Sequence, residues 1–152
     1  MARETGDSSQ ITVRFARPED ARRVAILCHQ LGYSVSQEEA QRRLECIQQD
    51  ERHAVYVAEL ADGCVVGWVH VYLRLLLLAD LQAEVGGLVV DENHRGRGIG
   101  RILMQHAEQW ARGQGCEAVC VRSNVVRERA HIFYQGIGYD NIKSQRTFLK
   151  VL

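Results

Sequence analysis

The chain has 152 residues, 46% of them hydrophobic, with 19 basic and 19 acidic side chains and a formal net charge of zero. That length and composition fit one globular domain, and the charge balance removes the global electrostatic case for nucleic acid or an anionic membrane surface. No apolar run approaches the ~20 residues that span a bilayer. The first ten residues carry no hydrophobic signal region and read as a short disordered tail before one domain over residues 11–152. The cysteines at 28, 46, 64, 116 and 120 form no C-x-x-C pair. Reduced thiols in a cytoplasm fit best, and no metal is expected from Cys116, Cys120 and His106.

Ile11 to Phe15 predicts a first strand. Pro18 suits the first position of a helix, with Glu19 and Asp20 at its positive end and Ala21, Val24, Ala25, Cys28 and Leu31 in one apolar stripe. Gly32-Tyr33-Ser34 interrupts it. Ser36-x-x-Glu39 is a capping box for a second helix carrying Ala40, Leu44 and Ile47 inward. Ala54 to Leu60 and Cys64 to Leu73 predict a hairpin about Asp62-Gly63. Trp68, His70 and Tyr72 alternate, so they share a face, under a helix or along an acceptor pocket. Leu81 to Asp91 is the next strand. Ile99, Ile102, Leu103, Ala107 and Trp110 then mark one helix face, ended by Gly113 and Gly115. Ala118 to Val121 predicts a short covered strand, Arg127 to Gln135 a last helix, and Tyr139 to Ile142 and Gln145 to Leu152 a closing strand pair.

The most informative stretch joins the fourth strand to the third helix. Gly86-Gly87 inside a strand points to a bulge or a close backbone approach. After the strand come Arg95, Gly96, Arg97, Gly98, Ile99, Gly100 and Arg101. Alternating glycines allow a tight turn, and a helix start leaves amide N–H groups open at its positive end, which together suit a phosphate or pyrophosphate. Of the 19 basic residues only Lys143 and Lys150 are lysines, and arginine suits phosphate recognition. A nucleotide-hydrolase loop would end in Gly-Lys-Ser/Thr, and this one does not. A dinucleotide fingerprint needs Gly-x-Gly-x-x-Gly, whereas the spacing here is Gly-x-Gly-x-Gly. A plain glycine-rich turn is the bland alternative.

The pattern Arg95-x-x-Gly98-x-Gly100 resembles the pyrophosphate loop of the GNAT superfamily of acetyl-CoA-dependent N-acetyltransferases. The resemblance extends over about residues 11–152 through strand Ala83 to Asp91, Ser123-Asn124 and Ala130-His-Ile-Phe-Tyr134-x-x-x-Gly138-Tyr139. It implies an α/β (α+β) fold with a mixed, mostly antiparallel sheet of about seven strands, four helices, and strands four and five splayed. Acetyl-CoA would insert its pantetheine arm there, on main-chain groups of Leu88, Val89 and Val90, with the pyrophosphate on amides from Gly96 to Arg101 beside Arg95. Asn124 would bond the same arm, with a helix cap as its alternative role. His131 reads as structural.

Amine acetylation needs a base for the ammonium, donors for the developing oxyanion and a proton for the thiolate. The resemblance gives these roles to Glu84, the Leu88 N–H and Tyr134. Glu84 lies in a strand of Val, Leu and Gly, a setting suited to a general base acting directly or through water. The expectation is an acyltransferase moving an acetyl group to a primary amine of a small or amino-acid-like acceptor in a ternary complex. Aminoglycoside, lysine and N-terminal acceptors stay open, as do a non-catalytic acetyl-CoA-binding module and a homodimer. Neither nucleic acid nor a membrane is expected as a partner.

Overall fold

The computed structural model describes residues 10–152; residues 1–9, and with them most of the expected tail, lie outside the described residues. Five strands appear among the described residues: β1 Thr12–Phe15, β2 His53–Glu59, β3 Val65–Leu76, β4 Ala79–Val90 and β5 Val119–Val121. They form one sheet in the order β1-β2-β3-β4-β5. The first four run antiparallel and β5 joins β4 in parallel. The helices are α1 Ala21–Gln30, α2 Gln37–Gln48, α3 Ile99–Gly113 and α4 Glu128–Gly136. The mixed α/β class therefore matches expectation.

The helix starts follow local chemistry. Pro18–Asp20 forms a 3-10 turn, so α1 begins three residues later than Pro18 suggests. At α2, Ser36 Oγ accepts from Glu39 N at 3.1 Å, and Ser36 N donates back to the Glu39 carboxylate at 3.0 Å; such a cap is worth about 1 kcal/mol. The Asp62-Gly63 turn closes with Leu60 N donating to Cys64 O at 2.9 Å, and Gly63 takes φ of +87°.

Two apolar layers cover the sheet. Val24 and Leu27 of α1 and Leu44 of α2 pack with Val55, Val57, Trp68 and Val89. In α3, Ile99, Leu103, Ala107 and Ala111 are buried at four-residue intervals, and each large side chain removed from water contributes roughly 1.5–3 kcal/mol. Gly67 lets α3 approach β3: a Cβ there would lie 3.1 Å from Leu103 Cδ1 and 3.0 Å from Val89 O.

The β3–β4 hairpin is longer than predicted. Strand pairing runs to Leu76 and resumes at Ala79, leaving Leu75, Leu77 and Leu78 almost fully exposed at the tip.

The described chain divides into two compact units, one ending at Val121 and the other Arg122–Leu152. The second contains α4 and the chain that follows. Here the predicted closing strand pair is corrected: residues 139–152 carry no strand, so the sheet has five strands where about seven were expected. Strand-favouring side chains become a strand only against a partner ladder and a covering face. Without these, Phe148, Leu149 and Val151 stay exposed.

Candidate active site

The first unit brings the β4 residues and the glycine loop together in one continuous run. On β3, His70 pairs with Gly87 and Val71 with Val85, so Gly86 is the extra residue of a β-bulge. The predicted bulge is therefore present. β5 pairs with β4 only over Ala83, Glu84 and Val85. From Gly86 to Val90, including Leu88 and Val89, the β5 side of β4 has no ladder partner in β5. This opening is the splay of strands four and five.

Both bulge glycines are shaped by neighbouring side chains. A Cβ on Gly87 would lie 2.7 Å from Trp68 Cη2, so the indole occupies the space a side chain would take. A Cβ on Gly86 would lie 3.2 Å from His70 Nδ1 and 3.4 Å from Tyr72 Cε1. Trp68 Nε1 is buried with no hydrogen-bond partner among the described residues.

Glu84 is buried, at 6% exposure. It faces Tyr72 across the ladder, and the Tyr72 hydroxyl donates to its Oε2. Arg74 Nη1 stands 3.7 Å from Glu84 Oε1 and is also placed toward Cys120 Sγ. The carboxylate is thus compensated by a hydroxyl and a guanidinium inside the sheet. Beside it, His53 Nδ1 and His70 Nε2 lie 2.9 Å apart in a hydrogen bond, and His53 stacks on Tyr72 at 5.4 Å. Burial, reinforced by the nearby His53 charge, lowers the His70 pKa to about 4. His53 Nε2 faces Asp50 Oδ2 at 3.9 Å.

The end of β4 is pinned before the loop begins. The Asp91 carboxylate accepts from Asn93 N at 3.1 Å and from Arg23 Nη2 at 2.9 Å. The backbone hydrogen bond from Asn93, with Arg23 adding to it, outweighs burial and holds this carboxyl below its usual range. Arg95 Nε donates to Val90 O at 3.2 Å, folding that side chain back along the strand. Gly96 and Gly98 then take φ of +76° and +81°, a region glycine enters freely and other residues rarely. Gly98 starts α3 without a side-chain cap. The N–H groups of Ile99, Gly100 and Arg101 therefore lie in an uncapped first turn, with Arg97 and Arg101 exposed alongside. Nothing lies within 4 Å of the Cβ positions of Gly96 or Gly98.

Asn124 and Tyr134 belong to the second unit. Asn124 does not cap α4. Its Oδ1 accepts from Val126 N at 3.2 Å, while its backbone carbonyl accepts from Arg127 N and contacts His131 Nε2 at 2.9 Å. His131 thereby braces the turn, in keeping with its structural reading. Tyr134 packs edge-on against Phe133 and Tyr139. Burial pushes its phenol above 10, and Arg127 partly offsets this.

Sequence reasoning did not identify Arg74, the Tyr72–Glu84 bond or the His53–His70 pair. The alternation of Trp68, His70 and Tyr72 was the available signal, but which of them meets Glu84 depends on the bulge. Among the described residues, no group of three or more His, Cys, Asp or Glu is placed to hold a metal ion. No described helix is long and apolar enough to cross a membrane.

An opened strand pair followed by an uncapped, glycine-led helix is the arrangement that the resemblance to acyl-transferring α/β proteins implied. The model of the Acetyltransferase (GNAT) family matches residues 19–139, and the chain belongs to that family. It is an acyltransferase. The chain is 29% identical over 137 residues to an aminoglycoside N(6')-acetyltransferase type 1 of Stenotrophomonas maltophilia, covering 88% of each chain. It is 36% identical over 98 residues to an aminoalkylphosphonate N-acetyltransferase of Salmonella typhimurium, covering 64% of this chain and 62% of the relative. In fold it resembles AAC(6')-Iy in complex with the bisubstrate analogue CoA-S-monomethyl-acetylneamine, with a TM-score of 0.81 at 18% identity over 93% and 99% of the two chains. It also resembles glucosamine-6-phosphate N-acetyltransferase from Arabidopsis thaliana, with a TM-score of 0.78 at 24% identity over 91% and 97%.

Proposed function

We propose that this chain transfers an acetyl group from acetyl-CoA to the primary amine of a small or amino-acid-like acceptor, by direct attack in a ternary complex. The carrying observation is the Gly86 bulge opening β4 from β5 immediately before an uncapped helix start. Main-chain groups of Leu88, Val89 and Val90 would bind the pantetheine amides. Open amides from Gly96 to Arg101 would hold the pyrophosphate, aided by Arg95, Arg97 and Arg101. Asn124 would add a side-chain amide to the pantetheine arm.

An alkyl ammonium titrates near ~10.4, so a base is needed at neutral pH. Glu84 would take the amine proton, directly or through a water. The Leu88 N–H would hold the oxyanion as charge moves onto the thioester oxygen. Tyr134 would protonate the departing thiolate; a phenol held above 10 keeps its proton until a thiolate forms.

The test is a thiol-release assay with acetyl-CoA over a diverse amine panel. The reading expects saturable turnover with at least one primary amine. Glu84→Gln and Tyr134→Phe should each lower kcat about 100-fold or more while acetyl-CoA affinity changes little. Thiol release that no amine accelerates would favour a non-catalytic acetyl-CoA-binding module. A second acceptor class, an aminoglycoside, is favoured by similarity to the Stenotrophomonas maltophilia relative along most of both chains. Aminoglycosides therefore form one arm of the panel, with peptides bearing lysine or a free N-terminus as another. A polycationic acceptor calls for several converging carboxylates, whereas around Glu84 the described partners are Tyr72 and Arg74.

A further inference from the structure

We propose that His70 is a second proton acceptor of this site, opening on the Gly86 bulge and discharging through His53 toward Asp50. The inference rests on the acetyl-transfer reading and names a path that reading lacks. Three observations carry it. His70 Nδ1 faces the space above Gly86 that a Cβ would fill at 3.2 Å, and Gly86 is exposed. The other nitrogen, Nε2, lies 2.9 Å from His53 Nδ1. The far nitrogen of His53 faces Asp50 at 3.9 Å, and His53, Asp50 and Glu51 line a cavity of about 480 Å³. Two imidazoles thus connect the bulge with a second opening.

The transfer balances. His70 starts as the Nε2–H tautomer with a lone pair on Nδ1. The acceptor's ammonium N–H bond breaks as Nδ1 gains the proton. The Nε2 proton moves to His53 Nδ1, and His53 releases its Nε2 proton beside Asp50 into solvent. Both rings end neutral with tautomers exchanged, and one proton has left the amine for water. Solvent exchange restores the starting tautomers.

The surroundings suit a relay rather than a proton store. The ionisable groups about the pair are Asp50, Glu51 and Arg52 in the turn before β2, Tyr72 and Arg74 on β3, and Glu84 on β4. Asp50 is pulled below its usual range by the Arg52 hydrogen bonds, so it is an anion at neutral pH. From α1 and α2 the same apolar cluster receives Val24, Leu27 and Leu44, with the titratable Cys28 thiol partly buried against it, while Arg23 of α1 is engaged by Asp91. A partly buried imidazole with pKa near 4 is neutral in that range, so its lone pair is free to accept but it cannot retain the proton. Glu84 already accepts from Tyr72 beside Arg74, which makes a separate exit useful.

The experiment measures acetyl transfer from pH 5 to 9 for wild type, His70→Gln, His53→Gln and Glu84→Gln with the best amine from the panel. Expected is a fall in kcat of about 100-fold for His70→Gln and about 10-fold for His53→Gln, with acetyl-CoA KM within twofold. The His53→Gln loss should shrink at alkaline pH, and added imidazole should restore His70→Ala at least tenfold. An active wild type with unchanged rates and pH profiles in both histidine variants overturns the relay and leaves acetyl transfer standing. A wild type inactive with every amine defeats the underlying reading instead. Should His70 variants fail to fold, nitrogen-15 spectra of the wild-type imidazoles decide: His70 as the neutral Nε2–H tautomer from pH 5 to 8 supports the relay, and an Nδ1–H tautomer overturns it.

Discussion

Two glycine clusters that begin ten residues apart show the same residue used for different physical reasons. At Gly86 and Gly87 the backbone stays out of the left-handed region, and the missing Cβ makes room for Trp68, His70 and Tyr72. At Gly96 and Gly98 the space is open, and the left-handed backbone makes the demand. The first cluster shapes the wall beside Glu84; the second shapes the entry to α3. Substitutions should therefore fail in different ways: by crowding at the bulge and by backbone strain in the loop.

The largest expected effect concerns the imidazole packed over the bulge. Unfolded His70 gains a proton below pH 6.5, whereas in the fold it does so only near 4. The unfolded chain therefore binds more protons in that window, and stability falls as pH drops from 6.5 to 4. This contribution approaches about 3 kcal/mol at the acid end. Urea unfolding at several pH values should show it in wild type, with a flatter profile in His70→Gln. Next, Gly87→Ala pushes a methyl into the indole and should cost about 2 kcal/mol in the same assay. In a Trp68→Leu background the cost should drop below about 1 kcal/mol, because the obstructing ring edge is gone.

In the loop, Gly98→Ala meets no neighbour but must hold φ near +81°. It should cost about 1 kcal/mol of stability and weaken acetyl-CoA binding about tenfold, read by calorimetry. Gly63→Ala sharpens the contrast: φ is +87°, the space is again open, and the position is a remote hairpin turn. It should cost a similar ~1 kcal/mol and leave acetyl-CoA affinity unchanged. The smallest stability effect is expected at Gly86→Ala, below about 1 kcal/mol, since its contact with His70 is only slightly tight. Its turnover should still fall, because the methyl covers His70 Nδ1.

The same contrast explains what the sequence made legible. Local signals were readable: the Ser36–Glu39 capping box, the Asp62-Gly63 turn, the strand glycines and the glycine-led start of α3 all depend on neighbours in the chain. Cross-strand contacts were not. One extra residue at Gly86 shifts the pairing, so Glu84 meets Tyr72 while His70 meets Gly87. Sequence alone names two adjacent glycines without saying which is extra, and a one-residue slip would turn every side chain beyond it to the other face. Arg74 and the Tyr72–Glu84 contact were hidden for that reason, and the His53–His70 pair depends on the separate register of β2 on β3. The absent closing strands have a different cause, since the alternation in Gln145 to Leu152 describes a willing strand but supplies no partner.

The central claim is that the bulged end of β4 and the open start of α3 together hold acetyl-CoA. Titration of the labelled protein with acetyl-CoA, followed through backbone amide resonances, tests it most directly. The account predicts saturable shifts concentrated at Leu88, Val89, Val90 and Gly96 to Arg101, weakened in Gly98→Ala and retained in Gly63→Ala. Saturation that leaves these amides unmoved, or no binding at millimolar acetyl-CoA, would contradict it.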